Sequence, residues 1–191
     1  WVALTKRVRN IYASKANVKL SQQLTYENLA SPAYKGKICT RSGKHPYNLG
    51  LIASMIAHKG EKETELWLKG IKDNLARKPQ GNDRAQVKAI KEGLCDVSLG
   101  NSYYYGKMLQ DKNQKPWADA VNIVFPNQQD RGSHINVSGA VITKYAPNQQ
   151  AALKLIEFLA SEQAQQAYSS VNMEYPVNPK VKPSELVASW G

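Results

Sequence analysis

The residues best suited to chemistry in this chain stand in one short stretch, Gly100-Asn101-Ser102-Tyr103-Tyr104-Tyr105-Gly106-Lys107. An apolar run from Cys95 to Leu99 precedes it and a helical pattern from Lys107 follows, so the spacing predicts a strand-to-helix turn. On a regular strand adjacent side chains point to opposite faces, whereas at the mouth of a helix neighbouring tyrosines can converge. A helix start also offers unpaired N–H groups and the positive end of the dipole, and both favour a phenolate. Phenols titrate near pH ~10 and are weak ligands at neutrality, but a hard trivalent cation stabilises the deprotonated oxygen. Taken alone, the triplet is explained more simply as an aromatic patch at a core edge.

A second stretch, Arg41-Ser42-Gly43-Lys44-His45-Pro46-Tyr47-Asn48, adds support. A short strand over 36–40 leads into the Ser-Gly turn, and Pro46 suits the first position of a helix over 48–59 that stops at Gly60. Such a turn can present N–H groups to an anion, although neither GxxxxGK[ST] nor GxGxxG is present. His45 is placed either to assist a metal or simply to occupy the turn.

The elements that must position these stretches alternate strand and helix. The spacing predicts helices over 61–77 and 84–92, the latter capped by Asn82 or Asp83, then a strand over 95–99 and a buried strand over 120–125. Asp83 and Glu92 read as capping and solvated groups. This alternation predicts a mostly parallel sheet with helices on both faces, where ligands sit at strand carboxyl ends. Both informative stretches fall there, which aims Tyr47, Tyr103 and Tyr104 at one site. Residues 1–13 and 134–145 read as extended, Asn148 caps an amphipathic helix through Leu159, and 174–179 is too proline-rich for helix.

With 191 residues, 42% of them hydrophobic, the chain can bury a core of one or two domains. The net charge of +11 is spread along the chain without a dense basic run or an RNA-binding aromatic motif, which argues against nucleic acid. A positive field that draws an anionic ligand fits better. No segment approaches the roughly 20 apolar residues of a membrane span, so no membrane insertion is expected. His45, His58 and His134 are dispersed and form no Ser/His/Asp or HExxH pattern, so no enzyme is expected. Cys39 and Cys95 are compatible with one disulfide or with two buried thiols.

Arg41-Ser42-Gly43, Tyr47-Asn48, Gly81-Asn82-Asp83-Arg84, Gly100-Asn101-Ser102-Tyr103-Tyr104 and Glu174-Tyr175-Pro176-Val177 together resemble the bacterial periplasmic ferric-iron-binding proteins, solute-binding components of iron ABC transporters. The resemblance covers nearly the whole chain. It implies an α/β fold of the type II periplasmic-binding-protein class, two-lobed and hinge-connected, with a complete C-lobe and a partial N-lobe here. The expected division is a hinge crossing at 1–9, the C-lobe over 10–133, a return hinge strand at 134–142 and a helical N-lobe remainder over 143–191. The family carries a sizeable segment ahead of the position of Trp1, and this sequence lacks it. The resemblance further implies Fe(3+) as cargo, with Tyr47, Tyr103 and Tyr104 as metal ligands and Ser42, Gly43 and Asn101 beside a synergistic anion or in a supporting shell. It also implies a periplasmic location, a monomer and transient docking on an inner-membrane ABC permease. The rival expectations are a protein of the same fold that binds an oxyanion or small organic solute, and an effector-sensing domain.

Overall fold

The computed structural model describes residues 1–20 and 24–190. The chain separates into two compact units, one formed by Val8–His134 and the other by Trp1–Arg7 with Ile135–Gly191.

Strand β1 (Val2–Ser14) contributes to the sheet pairing of both units. In the larger unit it is joined by β2 (Ile38–Cys39), β3 (Val97–Asn101) and β4 (Val121–Val124), in the spatial order β2-β3-β1-β4. The pair β2–β3 is parallel, with Ile38 opposite Val97 and Cys39 opposite Ser98. In contrast to the mostly parallel sheet expected, β1 runs antiparallel to both β3 and β4. Alternation of apolar residues reports which face a side chain takes and carries no direction, so the sequence pattern could not distinguish the two arrangements.

Both faces of this sheet are covered, which is why β1 is buried without interruption from Arg9 to Ser14. Ile11, Ala13, Val97, Leu99 and Ile38 pack on one face against Leu51, Met55, Trp67 and Ile71 of helix α1 (Pro46–Asp73). Tyr12, Cys39 and Val121 pack on the other against α2 (Asp83–Lys91), α3 (Tyr103–Gln110) and α4 (Lys115–Asp119), through Val87, Ile90, Met108 and Ala118. Helix α1 is broken at Gly60, whose φ of 80° and ψ of 167° are open to glycine, so its two halves match the two helices expected there. Ahead of α1, residues Glu27–Ala30 and Pro32–Tyr34 form short 3-10 turns. The Asn28 N–H donates to the Thr25 hydroxyl while the Asn28 side chain accepts from the Thr25 N–H.

In the smaller unit β5 (Ile135–Ala140) and β6 (Tyr175–Pro176) pair with β1, and the chain also forms α5 (Gln149–Ala160), α6 (Glu162–Ser170) and α7 (Glu185–Ala188). Gln165 ties the unit together, donating from its amide to the Leu4 carbonyl at 2.8 Å and accepting from the Val177 N–H at 2.8 Å. Helix α5 is amphipathic as its spacing predicts, yet Leu153, Leu155 and Phe158 remain exposed, and Asn148 takes the capping position without a side-chain cap bond.

Cys39 and Cys95 are joined as a disulfide with a Cα–Cα separation of 5.8 Å, which settles the alternative left open by the sequence. It links residues 56 apart, from β2 to the segment just ahead of β3. Closing a loop of this length restrains the unfolded chain by about 4 kcal/mol in the chain-entropy model. Replacing both cysteines by alanine is expected to lower unfolding free energy by about 3–4 kcal/mol, read by urea denaturation. An unchanged urea midpoint would contradict a structural role for the bridge.

Candidate metal centre

Two helix starts meet at the carboxyl ends of β2 and β3. Because these strands are parallel neighbours, the segments leaving them emerge side by side. The first runs through Arg41–His45 into α1 and carries Tyr47. The second runs through Ser102 into α3 and carries Tyr103 and Tyr104 in its first turn.

Local chemistry explains each start. His45 is the N-cap of α1, with Nδ1 accepting from the Tyr47 N–H at 3.2 Å, and Pro46 opens the helix. The His45 imidazole therefore serves the backbone and lies edge-on to the Tyr47 ring, 4.6 Å between centroids. Ahead of α3, Ser102 donates its N–H to the Val8 carbonyl at 2.9 Å and accepts the Val8 N–H on its hydroxyl at 3.2 Å. Gly100 leaves room for the Tyr12 ring: a Cβ there would come within 2.2 Å of Tyr12 Cε2. The Tyr12 hydroxyl in turn donates to the Asn101 carbonyl at 2.7 Å, which holds the end of β3 in place.

The Tyr47 and Tyr103 hydroxyl oxygens stand 3.5 Å apart, and the Tyr103 and Tyr104 rings lie 4.1 Å apart at 32°. All three are partly exposed. The third tyrosine of the triplet, Tyr105, faces the core beside Tyr12, at 6.3 Å between centroids. Burial raises the Tyr103 phenol well above its ordinary value, and the adjacent Tyr104 and Tyr47 hydroxyls and their potential negative charge push it the same way. Without a cation, Tyr103 keeps its proton. Among the described residues no group of three His, Cys, Asp or Glu side chains could hold a metal.

Below the tyrosines lies a polar assembly that the sequence did not disclose. Arg9, fully buried on β1, donates from Nη1 to Asp83 Oδ2 at 2.7 Å and to Asn101 Oδ1 at 3.1 Å, and from Nη2 to Asn48 Oδ1 at 2.6 Å. Asp83, expected as a capping or solvated residue, is fully buried instead; Asn82 caps α2 by accepting from the Ala85 N–H, which frees Asp83 to turn inward. Arg41 adds a second cation, with Nη1 3.2 Å from Asp83 Oδ1 and its guanidinium 5.2 Å from the Tyr47 ring centre. Arg84 lies over the Tyr104 ring at 5.6 Å. Asn48 closes the assembly by donating to the Arg41 and Ser42 carbonyls at 3.2 and 3.1 Å.

The residues expected near an anion are thus divided. Ser42 and Gly43 are exposed, and nothing lies within 4 Å of a Cβ built at Gly43. Asn101 is fully buried, its N–H donating to Asp83 and its side-chain oxygen accepting from Arg9. The missed residues had a signal: an arginine in the midst of a buried strand, and an aspartate beside an asparagine already sufficient as a cap.

Tyr12, Tyr26 and Tyr103 are all raised above the ordinary phenol value by burial. The folded chain retains protons that the unfolded chain releases above pH ~10, so this contribution to stability is complete below that pH and is lost as pH rises beyond it. Denaturant unfolding of Tyr103→Phe between about pH 9 and 11 should show a shallower alkaline loss, by at most one proton in the slope. An identical slope would contradict the burial of this phenol.

The family model described as "Bacterial extracellular solute-binding protein" matches residues 19–188. Iron uptake protein A1 of Synechocystis is 46% identical over 193 residues, covering 100% of this chain and 54% of the relative. Among solved structures, the apo ferric ion-binding protein A of Pasteurella haemolytica superposes with a TM-score of 0.95 at 56% identity, over 99% of this chain and 60% of that one. A Trichodesmium protein in complex with iron and citrate gives 0.94 at 42% identity, over 99% of this chain and 60% of that one. The chain thus spans little more than half the length of the relatives it matches.

Proposed function

This chain belongs to the bacterial extracellular solute-binding protein family, with the type II periplasmic-binding-protein fold, and we propose that its cargo is ferric iron, held through the phenolate oxygens of Tyr47, Tyr103 and Tyr104. The observation that carries this reading is the 3.5 Å approach of the Tyr47 and Tyr103 hydroxyls, with Tyr104 stacked beside them. Several phenolates this close repel one another, and only a cation among them makes the deprotonated cluster favourable. Ferric iron carries one positive charge for each of the three phenolates and is a hard ion suited to oxygen donors. The names of the iron uptake and ferric-binding relatives support the same cargo.

Binding must remove phenol protons, and burial holds that of Tyr103 above the ordinary phenol value. Iron affinity therefore rises with pH, uptake releases protons, and acid returns them and ejects the ion. Reduction to ferrous iron lowers the charge and weakens the same grip. Ser42 and Gly43, exposed at the α1 start, are the donors proposed for a synergistic anion that completes the coordination, with Asn101 acting from behind through Arg9. In the proposed cycle the crossings at 1–9 and 134–142 act as hinges, with 10–133 as the C-lobe and 143–191 as N-lobe remainder. The cargo is carried in the periplasm by a monomer and passed to an inner-membrane permease during transient docking.

Ferrous chloride oxidised in air in the presence of the chain should give a red to purple colour from phenolate-to-iron charge transfer. Tyr103→Phe and Tyr104→Phe should each abolish the band. A colourless wild-type protein, or Phe variants coloured like it, would overturn the assignment, and the first of these is what a binder of oxyanions or organic solutes would give.

A further inference from the structure

We propose that Asp83 fills a built oxyanion subsite with its own carboxylate, so that the floor of the tyrosine cluster needs no small anion from solution. The subsite is the convergence of three donors from three different elements. Arg9 Nη1 from β1 lies 2.7 Å from Asp83 Oδ2, the Asn101 N–H at the end of β3 lies 2.9 Å from the same oxygen, and Arg41 Nη1 from the segment after β2 lies 3.2 Å from Oδ1. Two of these donors are held independently of the carboxylate. Arg9 is braced by the Asn48 and Asn101 side-chain oxygens at 2.6 and 3.1 Å, and the Asn101 N–H is fixed by the β1–β3 ladder. Asn101 Nδ2, on the side chain that braces Arg9, is buried and without a hydrogen-bond partner.

The charge balance points the same way. Arg9 and Asp83 are both fully buried and Arg41 nearly so, which leaves two guanidinium groups sharing one carboxylate. Removing that carboxylate strands two cations away from water, a state that strongly favours capture of any small anion able to enter. The space opened by truncating Asp83 to alanine is that of a carboxylate, so the matching ligand is a small planar oxyanion such as formate. The site also adjoins the cargo: the Arg41 and Arg9 guanidinium groups lie 5.2 and 6.0 Å from the Tyr47 ring centre. A tethered carboxylate bears no association cost, so it balances the floor at every solute concentration. The consequence for cargo uptake rests on the ferric reading above; the subsite itself does not.

The test is Asp83→Ala in the full chain, with formate titrated against chloride at constant ionic strength. Without iron, the variant should melt several degrees below wild type and regain most of the loss saturably with formate, whereas wild type should not respond. Adding Arg41→Gln to the variant should remove the response. If Asp83→Ala does not fold unaided, its refolding yield should depend on formate. A variant indifferent to formate in melting and refolding, or a wild type equally responsive, overturns the subsite. With iron, the visible band of the variant should be weak and rise with formate while that of wild type stays constant. Formate rescue of melting with no colour in either protein sustains the subsite and sinks only the ferric cargo.

Discussion

A guanidinium from the middle of a strand and a carboxylate from the first residue of a helix, both sealed from water, hold this site together. The Arg9–Asp83 pair joins β1 to α2, and through Asn48 and Asn101 it reaches the starts of α1 and the end of β3. A buried pair of this kind adds little net stability over an apolar core, because desolvation offsets most of the attraction. Its effect is on position. The contacts of the pair form together only when four elements stand in one arrangement, and in that arrangement the Tyr47 and Tyr103 oxygens lie 3.5 Å apart.

The sheet supplies the coarser placement. Parallel pairing of β2 with β3 brings two helix starts to one edge, and the disulfide beneath them fastens the same pair of chain segments. Gly100 completes the arrangement by giving way to Tyr12, whose hydroxyl grips the backbone of Asn101 two residues before the tyrosine pair. The tyrosines thus sit on rigid supports, and the partly exposed hydroxyls are what is left free to meet a ligand.

Much of this was legible in the residues. The passage from strand to helix ahead of the tyrosines, Pro46 at a helix start and the break at Gly60 are all local features that local sterics decide, although β3 runs on through Gly100 and Asn101, which the spacing placed in the turn. The direction of β1 was not legible, since alternating apolar residues are the same read either way. The role of Asp83 was hidden because Asn-Asp at a helix start offers two capping candidates for one task, and only packing shows that Asn82 takes it. Asn101 was marked as an anion donor from its place beside the tyrosines; its side chain instead braces Arg9. The contacts of Arg9 escaped the sequence because they join residues far apart in the chain, 39 positions to Asn48, 74 to Asp83 and 92 to Asn101.

In the function proposed above, ferric iron is the agent that draws the protons from these phenols. Burial and crowding raise Tyr103, so an ion that binds here must repay the cost of deprotonation with its own charge. Selectivity under that proposal rests on charge, since ions of lower charge compensate less for the loss of phenol protons. The most direct measurement is resonance Raman scattering excited within the visible band of the iron-loaded chain. Tyrosinate ring modes that shift when the chain carries ring-deuterated tyrosine are the predicted result; a spectrum without them would contradict phenolate ligation.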